Sequence, residues 1–124
     1  MKHILVVDDD SSVLDVLTRA LVGYRMSIAR DPDEALHVAS NFGSLDLLIT
    51  DYHMPQLSGL ELCQRLKQDP NTSMIPAIML TARGYHLEPR DTQESGILRM
   101  LSKPFSPRHL LATVNEVLEL SRAA

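Results

Sequence analysis

The sequence predicts an α/β sandwich, a single parallel sheet with helices on both faces, in one domain of 124 residues. Two observations carry that prediction. Short apolar runs alternate five times with longer amphipathic segments, and the first run is continuous rather than alternating, as in a strand buried on both faces. Most of the amphipathic segments also open on a recognisable helix start. Strand–helix–strand units cross over right-handed and give parallel strands. Every strand therefore ends at the same edge of the sheet, and whatever follows each apolar run converges there.

Residues 4–7, Ile-Leu-Val-Val, form the first strand. The aspartates 8–10 end it, and Asp10 or Ser11 caps a helix whose Val13, Leu14, Val16, Leu17 and Leu21 recur at helical spacing, with Gly23 as the stop. Met26 and Ile28 alternate with Arg25, Ser27 and Arg30, which predicts a second strand nearer an edge. Asp31-Pro32-Asp33-Glu34 starts the next helix, with Asp31 as N-cap, Pro32 in the first position and Glu34 in the third. Its stripe is Ala35, Val38, Ala39 and Phe42, and Gly43 ends it.

The third strand spans residues 45–50, interrupted only by Asp46, and delivers Asp51 to its end. Met54-Pro55 turns the chain, because a residue before proline is pushed out of helical geometry. Ser58 then caps a helix with Glu61 in capping-box position, and Leu60, Leu62, Cys63 and Leu66 face inward until Asp69-Pro70-Asn71 breaks it. Residues 75–80 are the fourth strand, with Pro76 near its start, where no ladder donor is needed. Residues 82–95 are polar, hold Gly84 and Pro89, and predict only a short helix from near Pro89. After Gly96, residues 97–102 are the fifth strand. Ser106-Pro107 then opens a last helix with Leu110, Leu111, Val114, Val117 and Leu118 inward.

Composition narrows the function. A net charge of −4 argues against a nucleic-acid surface as the main business of the chain. The one cysteine, Cys63, excludes an internal disulfide and fits a reducing compartment, so a cytoplasmic location is expected. No signal peptide is legible, and no apolar run approaches the roughly 20 residues of a membrane helix. Cys63 reads as core rather than reactive, and Met26, Met54, Met74, Met79 and Met100 as packing residues. The scattered His3, His37, His86 and His109 show no metal spacing and read as surface residues.

At the common edge the topology collects Asp8, Asp9, Asp51, Thr81 and Lys103. Three carboxylates brought together repel unless a cation or shifted pKa values relieve them. Oxygen-only ligands at a loop edge suit Mg²⁺. A carboxylate can also act as a nucleophile that forms an acyl phosphate, a transfer that needs mainly positioning and charge neutralisation.

These residues resemble a known pattern. The acidic pair Asp8-Asp9 after the first strand, Asp51 in D-x-x-M-P-x-x-S-G, Thr81-Ala82 after the fourth strand and Lys103-Pro104-Phe105 after the fifth are similar to a receiver domain of two-component response regulators. The likeness covers essentially residues 1–124, taken as one receiver domain. It implies a flavodoxin-like fold with strand order 2-1-3-4-5. It implies Asp51 as phosphoacceptor, with Mg²⁺ held by Asp8, Asp9, Asp51 and the backbone carbonyl of His53, Asp8 acting largely through water. Lys103 is implied to pair with a phosphoryl oxygen, and Thr81 to bond another after moving toward it. The Lys103–Pro104 peptide is implied to be cis, which aims the lysine inward. The donor would be a phosphohistidine on a sensor histidine kinase or phosphotransfer protein. The chain would be a signalling switch that catalyses its own aspartyl phosphorylation, not a metabolic enzyme, with no direct nucleic-acid or membrane contact.

Three departures from the family pattern stand out. Met100 occupies the place often held by Tyr or Phe, which leaves a flexible apolar side chain without a hydroxyl. His53 and Arg83 flank the implied path of attacking water and are expected to lengthen the life of an acyl phosphate. The polar stretch 84–94 implies an unusual output face. The rival reading is a degenerate receiver that binds partners without phosphate. An aspartyl phosphohydrolase of another family is disfavoured, since Asp51-x-His does not fit the D-x-D nucleophile stretch such enzymes need and the chain is short for the cap domain they usually carry.

Overall fold

A computed structural model describes residues 1–41, 44–82 and 87–123. The chain runs β1 (His3–Val7), α1 (Ser11–Ala20), β2 (Arg25–Ala29), α2 (Pro32–Asn41), β3 (Leu47–Asp51), α3 (Gly59–Gln68), β4 (Ala77–Ala82), α4 (Pro89–Glu94), β5 (Ile97–Lys103) and α5 (Pro107–Ala123). The five strands form one parallel sheet in the order β2-β1-β3-β4-β5. This is the doubly wound flavodoxin-like sandwich implied by the resemblance.

The helix starts form as their sequences dictate. Asp10, rather than Ser11, caps α1, its carboxylate accepting from the Ser12 amide at 2.9 Å. Asp31 accepts from the Glu34 amide at 2.8 Å at the head of α2. Ser58 and Glu61 close a reciprocal capping box at α3. Ser106 accepts from the His109 amide at 3.0 Å at the head of α5. The expected Phe42 and Gly43 at the end of the second helix lie outside the described residues, as do Arg83, Gly84, Tyr85 and His86.

Strand alternation divides the core. Leu5, Val7, Leu48 and Met79 pack with Ala35, Ala39, Leu62, Cys63 and Leu66 of α2 and α3. Ile4, Val6, Ile49, Ile78, Leu80 and Leu101 pack with Leu14, Leu17, Leu110, Val114 and Val117 of α1 and α5. Each fully buried aliphatic side chain contributes about 1.5–3 kcal/mol. The central strands, buried at every position of β1 and β3, therefore fix the register. Burial pushes the Cys63 thiol up to about 12, in keeping with a core cysteine.

The structure corrects several expectations. β3, β4 and β5 run one or two residues further than the apolar runs, because pairing continues through Asp51↔Leu80, Thr81↔Ser102 and Ala82↔Lys103. Pro76 falls outside β4, where its carbonyl accepts from the Leu48 amide at 2.9 Å. Met74 is 81% exposed and Leu111 lies on the solvent side of α5, so neither is core.

His3 is buried rather than at the surface. Its ring Nε2 meets Ser27 Oγ at 2.7 Å, and its amide donates to Asp46 Oδ2 at 2.9 Å. The strand start thus covers itself by pairing with β2 and with the residue preceding β3. Burial first, then the nearby Arg25 charge, lower the His3 pKa against a weaker upward pull from Asp46. The folded chain thus keeps His3 neutral where an unfolded chain has protonated it. The stability from neutral His3 is complete above about pH 6.5 and is lost as pH falls through the lower folded value. Urea midpoints between pH 7.5 and pH 5 should fall more steeply for the native sequence than for His3→Gln; parallel slopes would assign the acid limb to other groups.

Candidate functional site

Three strands end in charge at one edge, and alternation decides which charges meet. Val6, Ile49 and Leu101 face α1 and α5. Two residues on, Asp8, Asp51 and Lys103 return to that face. Lys103 Nζ lies 2.9 Å from Asp8 Oδ2 and 3.1 Å from Asp51 Oδ1, so one ammonium bridges two carboxylates. Asp8 is fully buried and Asp51 is 6% exposed, while Asp9 is exposed at the mouth. One carboxylate oxygen from each of Asp8, Asp9 and Asp51 lies within 4.8 Å of the other two. Asp8 Oδ1 also accepts from the Asp10 amide at 2.9 Å.

Burial raises the Asp8 pKa; the Asp10 amide and the Lys103 hydrogen bond oppose the rise, and the neighbouring Asp51 charge adds to it. For Lys103, burial would lower the pKa, but hydrogen bonds and charge attraction from Asp8 and Asp51 together outweigh it and raise the value. The lysine therefore stays an ammonium at neutral pH. The Lys103–Pro104 peptide is cis, as the resemblance implied.

Thr81 is buried in β4, one step past Leu80, the register partner of Asp51. Alternation turns it to the opposite side of the sheet from that partner, and it makes no side-chain hydrogen bond with Asp8, Asp51 or Lys103. His53 is exposed just beyond β3, its ring edge-on to Tyr52 with centroids 4.9 Å apart. Arg83 lies outside the described residues. Beside Lys103 opens a cavity of about 390 Å³ lined by Asp10, Ser12, Val13, Val16, Pro104 and Phe105.

Two residues to which the sequence assigns no site role, Thr50 and Gly59, hold the main chain of Asp51. Thr50, buried in the centre of the sheet, donates its hydroxyl to the Asp51 carbonyl at 3.0 Å. Gly59, the first residue of α3, packs so closely that a Cβ there would sit 2.3 Å from the same carbonyl oxygen and 2.9 Å from Met79 Sδ. Its amide donates to the Tyr52 carbonyl at 2.8 Å. The available signals were a lone hydroxyl inside an apolar run and a glycine directly after an N-cap.

A doubly wound sandwich with an acidic pocket and an ammonium at its carboxyl edge defines a class of domain that handles phosphoryl groups with a carboxylate and a divalent cation. The chain belongs to the response regulator receiver domain family, whose profile matches residues 4–115. It is 39% identical over 119 residues to the phosphate regulon transcriptional regulatory protein PhoB of Pseudomonas aeruginosa, covering 94% of this chain and 52% of that protein. It is 38% identical over 125 residues to the alkaline phosphatase synthesis transcriptional regulatory protein PhoP of Bacillus subtilis, covering 99% and 51%. The chain thus spans about half the length of these curated relatives. Among solved structures, a response regulator from Chloroflexus aurantiacus superposes with a TM-score of 0.84 at 36% identity, over 95% of this chain and 98% of that one. The chemotaxis response regulator CheY4 of Vibrio cholerae gives 0.85 at 30% identity, over 94% and 98%. The chain is accordingly a phosphoacceptor receiver domain that catalyses its own aspartyl phosphorylation. Among the described residues no helix is long and apolar enough to cross a membrane.

The packing at Gly59 generates a direct prediction. An added methyl meets backbone, which cannot swing aside, so Gly59→Ala should cost about 1–3 kcal/mol in urea unfolding. A Gly23→Ala control, with nothing within 4 Å of its would-be Cβ, should cost less than about 0.5 kcal/mol.

Proposed function

We propose that Asp51 is the residue that takes the phosphoryl group, with Lys103 and Thr81 as its working partners and Mg²⁺ as the cation. The observation that carries this is the pair of contacts that Lys103 makes with buried Asp8 and Asp51 within one acidic cluster. The oxygen-only donor set fits a small hard cation. Asp8, Asp9 and Asp51, with the His53 backbone carbonyl, would hold it. When bound, Mg²⁺ supplies neutralisation of charge on the phosphoryl oxygens.

The chain's own groups account for the rest. An Asp51 oxygen, held by Lys103, attacks phosphorus. The P–N bond of a phosphohistidine breaks, its electron pair stays on the leaving imidazole, and that nitrogen takes up a proton from solvent. The new acyl phosphate keeps Lys103 as a counter-charge once the ammonium shifts from the carboxylate to a phosphoryl oxygen. Thr81, on the adjacent strand, must turn toward the phosphate to donate its hydroxyl. That movement is the switch.

The donor is a sensor histidine kinase or phosphotransfer protein, and the apolar lining of the cavity beside Lys103 gives such a protein a foothold next to the site. The receiver domain occupies residues 1–124 and works in the cytoplasm. The downstream target is set by whatever surface the Thr81 movement alters.

Acetyl phosphate with Mg²⁺ should add one phosphoryl group to the wild-type chain, read as a mass increase lost on hydroxylamine treatment, and none to Asp51→Asn. Wild-type chain that stays unlabelled would leave only the phosphate-independent scaffold. Millimolar Mg²⁺ should raise the melting temperature of the wild-type chain, as any ligand of the native state does. Asp9→Asn should shrink that rise while leaving the metal-free melting temperature nearly unchanged, because Asp9 is exposed.

A further inference from the structure

Whatever makes Asp51 reactive, its carboxylate can be no better placed than the main chain that carries it. That main chain is held at four points. The Asp51 carbonyl accepts the Thr50 hydroxyl at 3.0 Å. The Tyr52 amide, at the other end of the same peptide, donates to the Leu80 carbonyl at 2.9 Å. The Tyr52 carbonyl accepts from the Gly59 amide at 2.8 Å. The bare Cα of Gly59 closes over the Asp51 carbonyl with no room for a side chain. Both ends of the Asp51–Tyr52 peptide and the start of the next are therefore fixed.

Three of these contacts are backbone geometry. The fourth is a side-chain choice. Thr50 is fully buried and stands in register between Val7 and Met79, two apolar residues that pack against α2 and α3. Valine would suit that environment at least as well, since it fills the same volume without a hydroxyl that needs a partner. Packing alone gives no reason for threonine. Its hydroxyl has a reason in the carbonyl it bonds, which leaves the end of the ladder just where the strand stops.

We propose that Thr50 is a positioning residue for phosphoryl transfer: its buried hydroxyl fixes the Asp51–Tyr52 peptide, and with it the line along which the acceptor carboxylate meets phosphorus. This rests on the reading of Asp51 as acceptor. Transfer reactions are steeply sensitive to such placement, and a misplacement of about 1 Å costs on the order of 100-fold. A loosened peptide also blurs the direction of the following carbonyls, including that of His53.

The test uses the full chain with Thr50→Val and Thr50→Ser. Thr50→Val should keep its melting temperature within about 5 °C of wild type, yet take phosphate from acetyl phosphate roughly tenfold more slowly. Thr50→Ser, which keeps the hydroxyl, should recover most of the rate. Without metal or phosphate present, amide exchange at Tyr52 and Gly59 should quicken in Thr50→Val while Leu48 and Ile78 stay protected. Wild-type rates and unchanged Tyr52 exchange in Thr50→Val would overturn the proposal. So would equal loosening at Leu48 and Ile78, which would mark Thr50 as an ordinary stabilising residue. An unlabelled wild-type chain would overturn the reading of Asp51 and the proposal with it, and only that failure shows in the unmutated protein.

Discussion

One ammonium group shared by two buried carboxylates is the constraint around which this domain is organised. Asp8 and Asp51 are carried to the same edge by strands that cannot move apart, because β1 and β3 are hydrogen-bonded neighbours. Their charges repel in a place where water is scarce. Lys103 relieves this from β5, two strands away from Asp51 across the sheet, and bonds both. Removing one partner of a buried ion pair typically costs about 3–5 kcal/mol, since it leaves a charge without compensation. The raised pKa of Asp8 shows that compensation is incomplete. A carboxyl whose folded pKa lies above its unfolded value favours folding below that window and loses the benefit as pH rises through it. At neutral pH the charge on Asp8 is thus a local liability, set against the gain that Lys103 draws from the same contact.

The liability is tolerable because the rest of the sheet is over-determined. Two-residue alternation sends one set of aliphatic side chains to α1 and α5 and the other to α2 and α3. A slip of one residue in β1 or β3 would exchange the two sets and turn Asp8 or Asp51 to the opposite face. The register that satisfies the core is the same one that turns Asp8, Asp51 and Lys103 toward one another. Site geometry is in this sense a by-product of core packing, with Gly59 and Thr50 supplying the fine placement that packing does not.

What could be read from the sequence follows the same division. Asp51 was legible because a carboxylate at the end of an apolar run has no packing role there. Asp8, Asp9 and Lys103 were legible once parallel topology brought all strand ends together, and the capping residues because side chain and amide are local neighbours. His3 was not legible: a polar residue beside Lys2 at the chain start looks solvated, and only the arrival of Ser27 and Asp46 from distant segments buries it. Leu111 was misjudged because the inward stripe of α5 is narrower than its apolar content suggests. The role of Thr50 was not legible, since its bond to the next carbonyl depends on where the ladder ends.

The outer part of the sheet is held differently from the centre. α4 is six residues long with no buried residue, and it packs on β5. β5 itself is an edge strand with Leu98 and Arg99 exposed and Met100 half-buried, whereas β1 and β3 are buried throughout. Few buried apolar contacts place α4 and the outer face of β5 at the low end of the local stability range. Yet Lys103 sits on β5, so the ammonium belongs to this less secured side, while both buried carboxylates and Thr81 sit on the buried inner strands. A change of charge at Asp51 therefore acts between a part that cannot yield and a part that can. The same event at a uniformly packed edge would be met only by strain; the weaker anchoring of β5 and α4 leaves it a direction in which to yield.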